Sequence, residues 1–241
     1  MLYNIFKELI FVRDDICTIP ISEVFEVNDG CPICRMRKTV EDHIVDYIMG
    51  AAMMEPDVRI ETNKIGFCEK HYDMMLSHRG RLALALMLQS HLEEQKKAIF
   101  DKKAFNSPKA KAGKAKILNE SCFICQKIEW GMERMIATIY RTYENEREFR
   151  ELFDNQPMFC LKHYQLLVDG LDKKNMRRYG DDFLKSLTNI TAAHIASLKC
   201  DVDNYCKVYN YQNNTENCDW ENAKDSLQRS IDFLTGRISN E

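Results

Sequence analysis

Four short cysteine motifs, arranged as one pattern written twice, constrain this 241-residue chain more than any other feature. Cys31-Pro32-Ile33-Cys34 is answered by Cys68-Glu69-Lys70-His71, and Cys122-Phe123-Ile124-Cys125 is answered by Cys160-Leu161-Lys162-His163. Each copy supplies three thiols and one imidazole, in two pairs with two residues between the members. That is the ligand set of a closed Cys3His zinc site. The inner pairs stand 37 residues apart from Cys31 to Cys68 and 38 apart from Cys122 to Cys160, so the repeat is a whole structural module rather than a loop. On this spacing Cys31, Cys34, Cys68 and His71 hold one ion, and Cys122, Cys125, Cys160 and His163 hold another. The expectation is two Zn²⁺ per chain, with iron as the rival because Cys3His also holds iron centres. Four protein ligands leave no open position for water, which argues for ions that clamp helix N-termini rather than hydrolyse substrates.

The duplication reaches beyond the ligands. Glu55-Pro56-Asp57-Val58-Arg59 is mirrored by Glu146-Arg147-Glu148-Phe149-Arg150 at an offset of 91 residues, and Phe67 to Tyr72 is mirrored by Phe159 to Tyr164 at an offset of 92. Between the motifs the apolar residues follow a helical period. Val40, Ile44, Tyr47 and Ile48 make one stripe, and Trp130, Met132, Met135, Ile136, Ile139, Tyr140 and Tyr143 make its counterpart. Long helices are expected over 81–100 and 181–209, and a last amphipathic helix over 220–238. The fold class is therefore all-α: two pseudo-symmetric zinc-clamped helical repeats packed as one helical bundle. Its segments are an N-terminal arm (1–30), repeat 1 (31–100), a Lys-rich linker (101–120), repeat 2 (121–210) and a C-terminal helix (211–241). The linker, with lysines among Ala, Ser, Pro and Gly, reads as a solvated connector.

Composition narrows the function. Nine glycines and five prolines are few for a turn-rich β architecture and suit long helices. The formal charge is −3 with every thiol neutral. Six thiolates and two Zn²⁺ would take it to about −5, which gives no support for binding nucleic acid. The first residues lack the apolar core and cleavage site of a secretory signal, and no apolar run is long enough to span a membrane. Ten cysteines in such a chain point to metal or free thiols in the cytoplasm rather than to disulfides.

Other residues carry weaker signals. Arg59 and Arg150 recur among acidic neighbours and could donate hydrogen bonds to metal-bound sulfurs or to a capping carbonyl; the bland alternative is a surface ion pair. His91 and His194 lie in apolar helical faces, where a lone histidine is more often a hydrogen-bonded core residue than a ligand. Facing a common pocket with Glu94, they would make a further site. Cys17, Cys200, Cys206 and Cys218 have no repeat partners and read as free thiols.

The order Ile19-Pro20, Phe25, Cys31-Pro32-Ile33-Cys34, Glu55-Pro56-Asp57-Val58-Arg59, Gly66-Phe67-Cys68-Glu69-Lys70-His71 resembles an uncharacterised bacterial family, a domain of unknown function, over nearly the whole chain. The resemblance implies a bacterial, cytoplasmic protein and brings no activity with it. The second copy departs at Phe123, where the first has Pro32, and at Met158, where the first has Gly66. The residues favour a non-enzymatic zinc-binding scaffold or adaptor that binds a partner protein or a small ligand. The alternatives are a thiol-based redox or metal-responsive sensor, and an enzyme using a pocket between the halves.

Overall fold

The computed structural model describes residues 20–100, 107–172, 176–208 and 220–237. Every regular element among them is a helix: α1 (Ile21–Glu26), α2 (Pro32–Met49), α3 (Pro56–Ile65), α4 (Glu69–Ser77), α5 (Arg81–Gln95), α6 (Pro108–Asn119), α7 (Phe123–Asn145), α8 (Arg147–Asp154), α9 (Leu161–Asp169), α10 (Gly180–Val208), α11 (Trp220–Ala223) and α12 (Ser226–Thr235). A 3₁₀ turn, Ala51–Met54, joins α2 to α3, and a π turn, Lys96–Phe100, extends α5. The all-α expectation holds. Cys17 and Cys218 lie outside the described residues.

The chain divides into two compact units, and the division does not follow the repeats. One unit contains Thr39–Glu133; the other contains Ile19–Lys38 together with Arg134–Glu241. The boundaries fall inside α2 and α7, so each of these helices starts in one unit and ends in the other.

In the Thr39–Glu133 unit the stripe read from α2 is the core: Val40, Ile44 and Ile48 are fully buried, with Val58, Met75, Leu84 and Met87 from the following helices. Pro56 opens α3, where its missing N–H costs nothing. Arg59 then fastens α3 to α5, donating to Leu86 O at 2.9 Å and Ser90 Oγ at 2.6 Å. Within the Lys-rich connector, Pro108–Asn119 is helical. Ser107 caps it by accepting from the Ala110 N–H, Pro108 stands in the first turn, and Ala and Lys are strong helix formers. None of its residues is buried.

The other unit is built on aromatic rings. Phe25 of α1 packs on Phe149 (4.9 Å between centroids) and Phe153 (5.8 Å) of α8, and Phe153 in turn meets Phe159 and Phe183, each at 4.8 Å. Tyr143 closes the cluster on Phe183 at 5.0 Å. Such pairs contribute about 0.5–1.5 kcal/mol each beyond area burial. Gln156 ties α1 to this cluster by donating to Phe25 O at 2.6 Å. The N-terminal arm, as far as it is described, is thus part of the second unit's core. The final helix breaks at Lys224-Asp225 and continues as α12, ending on Gly236 in the left-handed conformation (φ 65°).

Candidate metal centres

Each of the four motifs sits at a helix start. Cys31, Cys68, Cys122 and Cys160 immediately precede α2, α4, α7 and α9, and Cys34, His71, Cys125 and His163 follow in the first turn. A cap residue and the third helical residue face the same way, which is why two intervening residues recur in all four. The N-terminal N–H groups point at the sulfurs and favour thiolate. Cys122 Sγ accepts from the Cys125 N–H at 3.5 Å.

The structure gathers these eight residues into two clusters, but it exchanges partners between the copies. Cys31 and Cys34 meet Cys160 and His163; Cys68 and His71 meet Cys122 and Cys125. The expected pairing within each repeat is therefore corrected. Helix length supplies the reason. α2 carries the chain about 27 Å from Cys31, and α3 is only about 15 Å long, so it can recover at most that much. α7 is about 35 Å long and α8 about 12 Å. Each Cys-x-x-His thus meets its own repeat's long helix well beyond its cysteines. His71 docks against Glu41, seven residues along α2 from Cys34. With the ligands exchanged, each cluster falls wholly inside one compact unit.

Both clusters have the size of a single tetrahedral ion. Zn–S and Zn–N bonds place two sulfurs about 3.8 Å apart, and a sulfur and a nitrogen about 3.6 Å apart. In the His163 centre, Cys34 Sγ is 3.6 Å from Cys160 Sγ, and His163 Nδ1 is 3.2 Å from both Cys34 and Cys160 and 3.6 Å from Cys31. In the His71 centre, Cys68 and Cys125 Sγ are 4.0 Å apart, and His71 Nδ1 lies 3.1, 3.2 and 3.5 Å from Cys68, Cys122 and Cys125. All ligand atoms of a cluster lie within 4.8 Å of one another. That span fits one ion and leaves no room for a multi-iron cluster between the sulfurs. The sulfur separations are far beyond a disulfide bond.

Without a cation such thiol groups cannot all ionise. Burial, reinforced by Cys160, pushes the Cys31 thiol up to about 12, and the neighbouring sulfurs of Cys160 and Cys31, together with burial, push Cys34 up as well. Burial, with Cys122 and Cys68 beside it, brings Cys125 to about 12. At Cys122 burial pulls upward, but the His71 hydrogen bond and the N–H groups of Cys125 and Cys68 outweigh it, leaving the thiol at about 6. A divalent ion held there would supply the missing positive charge, and the donor set suits zinc.

The surroundings of the centres differ, in ways the motifs do not announce. His71 turns Nε2 to Glu41 Oε1 at 2.9 Å while Nδ1 faces the sulfurs, so with an ion on Nδ1 the carboxylate would accept the Nε2 proton and fix the ring's orientation. Lys70 also bonds this oxygen. Burial opposes the charge on Glu41, yet His71 and Lys70 hold its carboxyl down at about 2. The equivalent position in the second copy is Met132. The sequence signal for Glu41 was a single acidic residue on the apolar stripe of α2. Gly66 O accepts from Phe123 N–H at 2.9 Å, and Ser121 Oγ donates to Ile65 O at 2.7 Å, which fastens the Cys-x-x-His loop to the start of α7. At the corresponding positions stand Met158 and Pro32, and proline has no N–H to give. The two departures of the copies therefore form one interacting pair. At the His163 centre the turn after α12 is the cover. Gly236 O lies 3.7 Å from Cys34 Sγ, and a methyl group at Gly236 would come within 3.3 Å of Cys160 Sγ.

The remaining expected residues lie elsewhere. Arg59 serves the α3–α5 junction, and Arg150 donates to Tyr143 O at 2.7 Å and stacks on Tyr179; neither is directed to a sulfur, because each reaches along or across helices away from the motif loops. His91 bonds Asn63 O through Nδ1 at 2.9 Å and presses on Gly66, lining a crevice too tight for water. His194 packs on Phe233 at 5.4 Å in the other unit. Each histidine is thus engaged in packing within its own unit. A polar cleft of about 560 Å³ lies between α8 and α10, lined by Arg150, Asp154, Tyr179, Asp182 and Lys185 among others, and does not include His194. No helix among the described residues is long and apolar enough to cross a membrane.

A profile of one protein family, described as a family of unknown function (DUF6062), matches residues 12–241, in line with the resemblance read from the motifs. No curated protein and no solved structure matches the chain.

Proposed function

We propose that this chain, which belongs to the DUF6062 family of unknown function, is a non-enzymatic scaffold or adaptor whose helices are clamped by two structural Zn²⁺ ions. The observation that carries the reading is the pair of Cys3His clusters, each offering four protein ligands within the span of one tetrahedral ion, all four buried in one and two of the four in the other. A filled tetrahedron offers no place for substrate or water, so the ion's work is cohesion, and its binding free energy is folding free energy. In the His163 centre the ion would join α2 to α9 beneath the turn after α12. In the His71 centre it would join α4 to α7. The helical surface so fixed is what a partner protein or small ligand would bind.

The test is elemental analysis of protein purified without added metal, followed by chelation under circular dichroism. Two zinc equivalents, a colourless sample and loss of helicity on chelation support the reading. Iron with visible absorption, or a metal-free chain of unchanged fold, refutes it.

A further inference from the structure

The two centres have the same ligand set and unequal access. In the His163 centre Cys31, Cys34, Cys160 and His163 are all buried, none more than 7% exposed, and Gly236 covers the sulfurs. In the His71 centre His71 and Cys122 are buried, but Cys68 and Cys125 are partly exposed. These two open sulfurs are also neighbours, 4.0 Å apart. One belongs to the cap of α4 and the other to the first turn of α7, so a disulfide about 2 Å long requires the two helix starts to close by about 2 Å.

We propose that Cys68 and Cys125 are a peroxide-reactive thiolate pair, making the His71 centre the labile one of the two and releasing its ion on oxidation. The inference rests on the zinc reading above. One thiolate attacks the O–O bond of a hydroperoxide, takes the proximal oxygen as a sulfenic acid and expels alkoxide or hydroxide. The second thiolate then displaces hydroxide from that sulfur, closing Cys68–Cys125. Two thiolates, one hydroperoxide and two protons give one disulfide, one water and one alcohol (a second water for hydrogen peroxide itself). The two electrons pass from the sulfurs to the broken O–O bond. The ion is left with Cys122 and His71, too few ligands to hold it, and dissociates. Reduction by a thiol restores the four ligands.

The experiment uses the full zinc-loaded chain with Cys17, Cys200, Cys206 and Cys218 changed to Ser, so that only ligand thiols remain. Hydrogen peroxide is added, zinc release is followed with a chromogenic chelator, and disulfides are mapped by mass spectrometry. One of the two equivalents is expected to leave in a separate early phase, with a Cys68–Cys125 disulfide and full rebinding after dithiothreitol. Cys34→Ser, which opens the other centre, should keep that early phase; Cys125→Ser should lose it. Release of both ions together, or a first disulfide at Cys31, Cys34, Cys122 or Cys160, overturns the inference while leaving the zinc reading intact. A chain that carries no metal before peroxide is added refutes the zinc reading itself, and the inference with it.

Discussion

Exchange of ligands between the repeats predicts which pairs of mutations share one ion. Cys34→Ser should leave one zinc per chain, because it breaks the His163 centre and spares the other. Adding Cys160→Ser should leave the count at one, since both residues serve the same ion. Adding Cys68→Ser instead should bring it to zero. Pairing within each repeat predicts the reverse: Cys34→Ser with Cys68→Ser would keep one ion, and Cys34→Ser with Cys160→Ser would keep none. Stability should follow the same pattern. At free zinc about 1,000 times the dissociation constant, a site that binds only the folded chain contributes about 4 kcal/mol. The single variant should lose about that much in denaturant titrations at fixed free zinc. The second deletion in the same centre should add little, and a deletion in the other centre about the same again. Mass-spectrometric metal counting reads the first result and circular dichroism the second. A double variant Cys34→Ser, Cys68→Ser that retains one ion would refute the exchanged pairing and the helix-length argument behind it.

Three further outcomes follow from the surroundings of the centres. Glu41→Met, which places in α2 the residue found at the equivalent position of α7, should weaken one zinc site by about 10–100-fold and leave the other unchanged, as measured by chelator competition. Gly236→Ala forces a left-handed residue to carry a side chain facing Cys160 Sγ at 3.3 Å and Lys162 Cβ at 3.2 Å. It should cost about 1–2 kcal/mol in stability and speed metal exchange at the His163 centre alone. Burial, and then the Arg229 charge, hold His194 below its ordinary pKa, with Asp201 opposing them more weakly. The unfolded chain therefore takes up this proton more readily than the folded one. Its contribution is intact above about pH 6.5 and declines as the pH falls below that value. His194→Gln should remove that part of the acid dependence, read as the difference between the two stability–pH curves.

The ligands and the helices were legible because both rest on local spacing. A residue at a helix cap and one in its first turn share a face whatever the rest of the chain does, and Val40, Ile44 and Ile48 had to be buried together. The pairing was not local. It depends on how far α2 and α7 carry the chain before α3 and α8 bring it back, and two motifs of the same type satisfy either arrangement chemically. For Arg59 the repetition beside the motifs left a metal-bound sulfur, a capping carbonyl and a surface ion pair open, and its place on α3 aims it at a carbonyl and a hydroxyl of α5. Glu41 and Gly236 escaped because each serves a centre from a distant part of the chain.

The sequence did hold a trace of the exchange, in the two positions where the copies disagree. Gly66 and Met158 precede the Cys-x-x-His motifs, and Pro32 and Phe123 open the helices of the Cys-x-x-Cys motifs. Taken within each copy, Gly66 would go with Pro32 and Met158 with Phe123, and the differences have no common cause. Taken across copies, Gly66 goes with Phe123, whose N–H it accepts at 2.9 Å, and Met158 goes with Pro32, which has no N–H to offer. Gly66 stands at φ 72°, where a side chain would be strained and its Cβ would meet the His91 ring at 3.2 Å, whereas no residue other than glycine has a positive φ among the described residues, Met158 included. The two departures become one coupled change once the loops and helices are allowed to exchange. In a duplicated chain, then, the positions where the copies differ carry information about which segments meet, information that the shared motifs cannot supply.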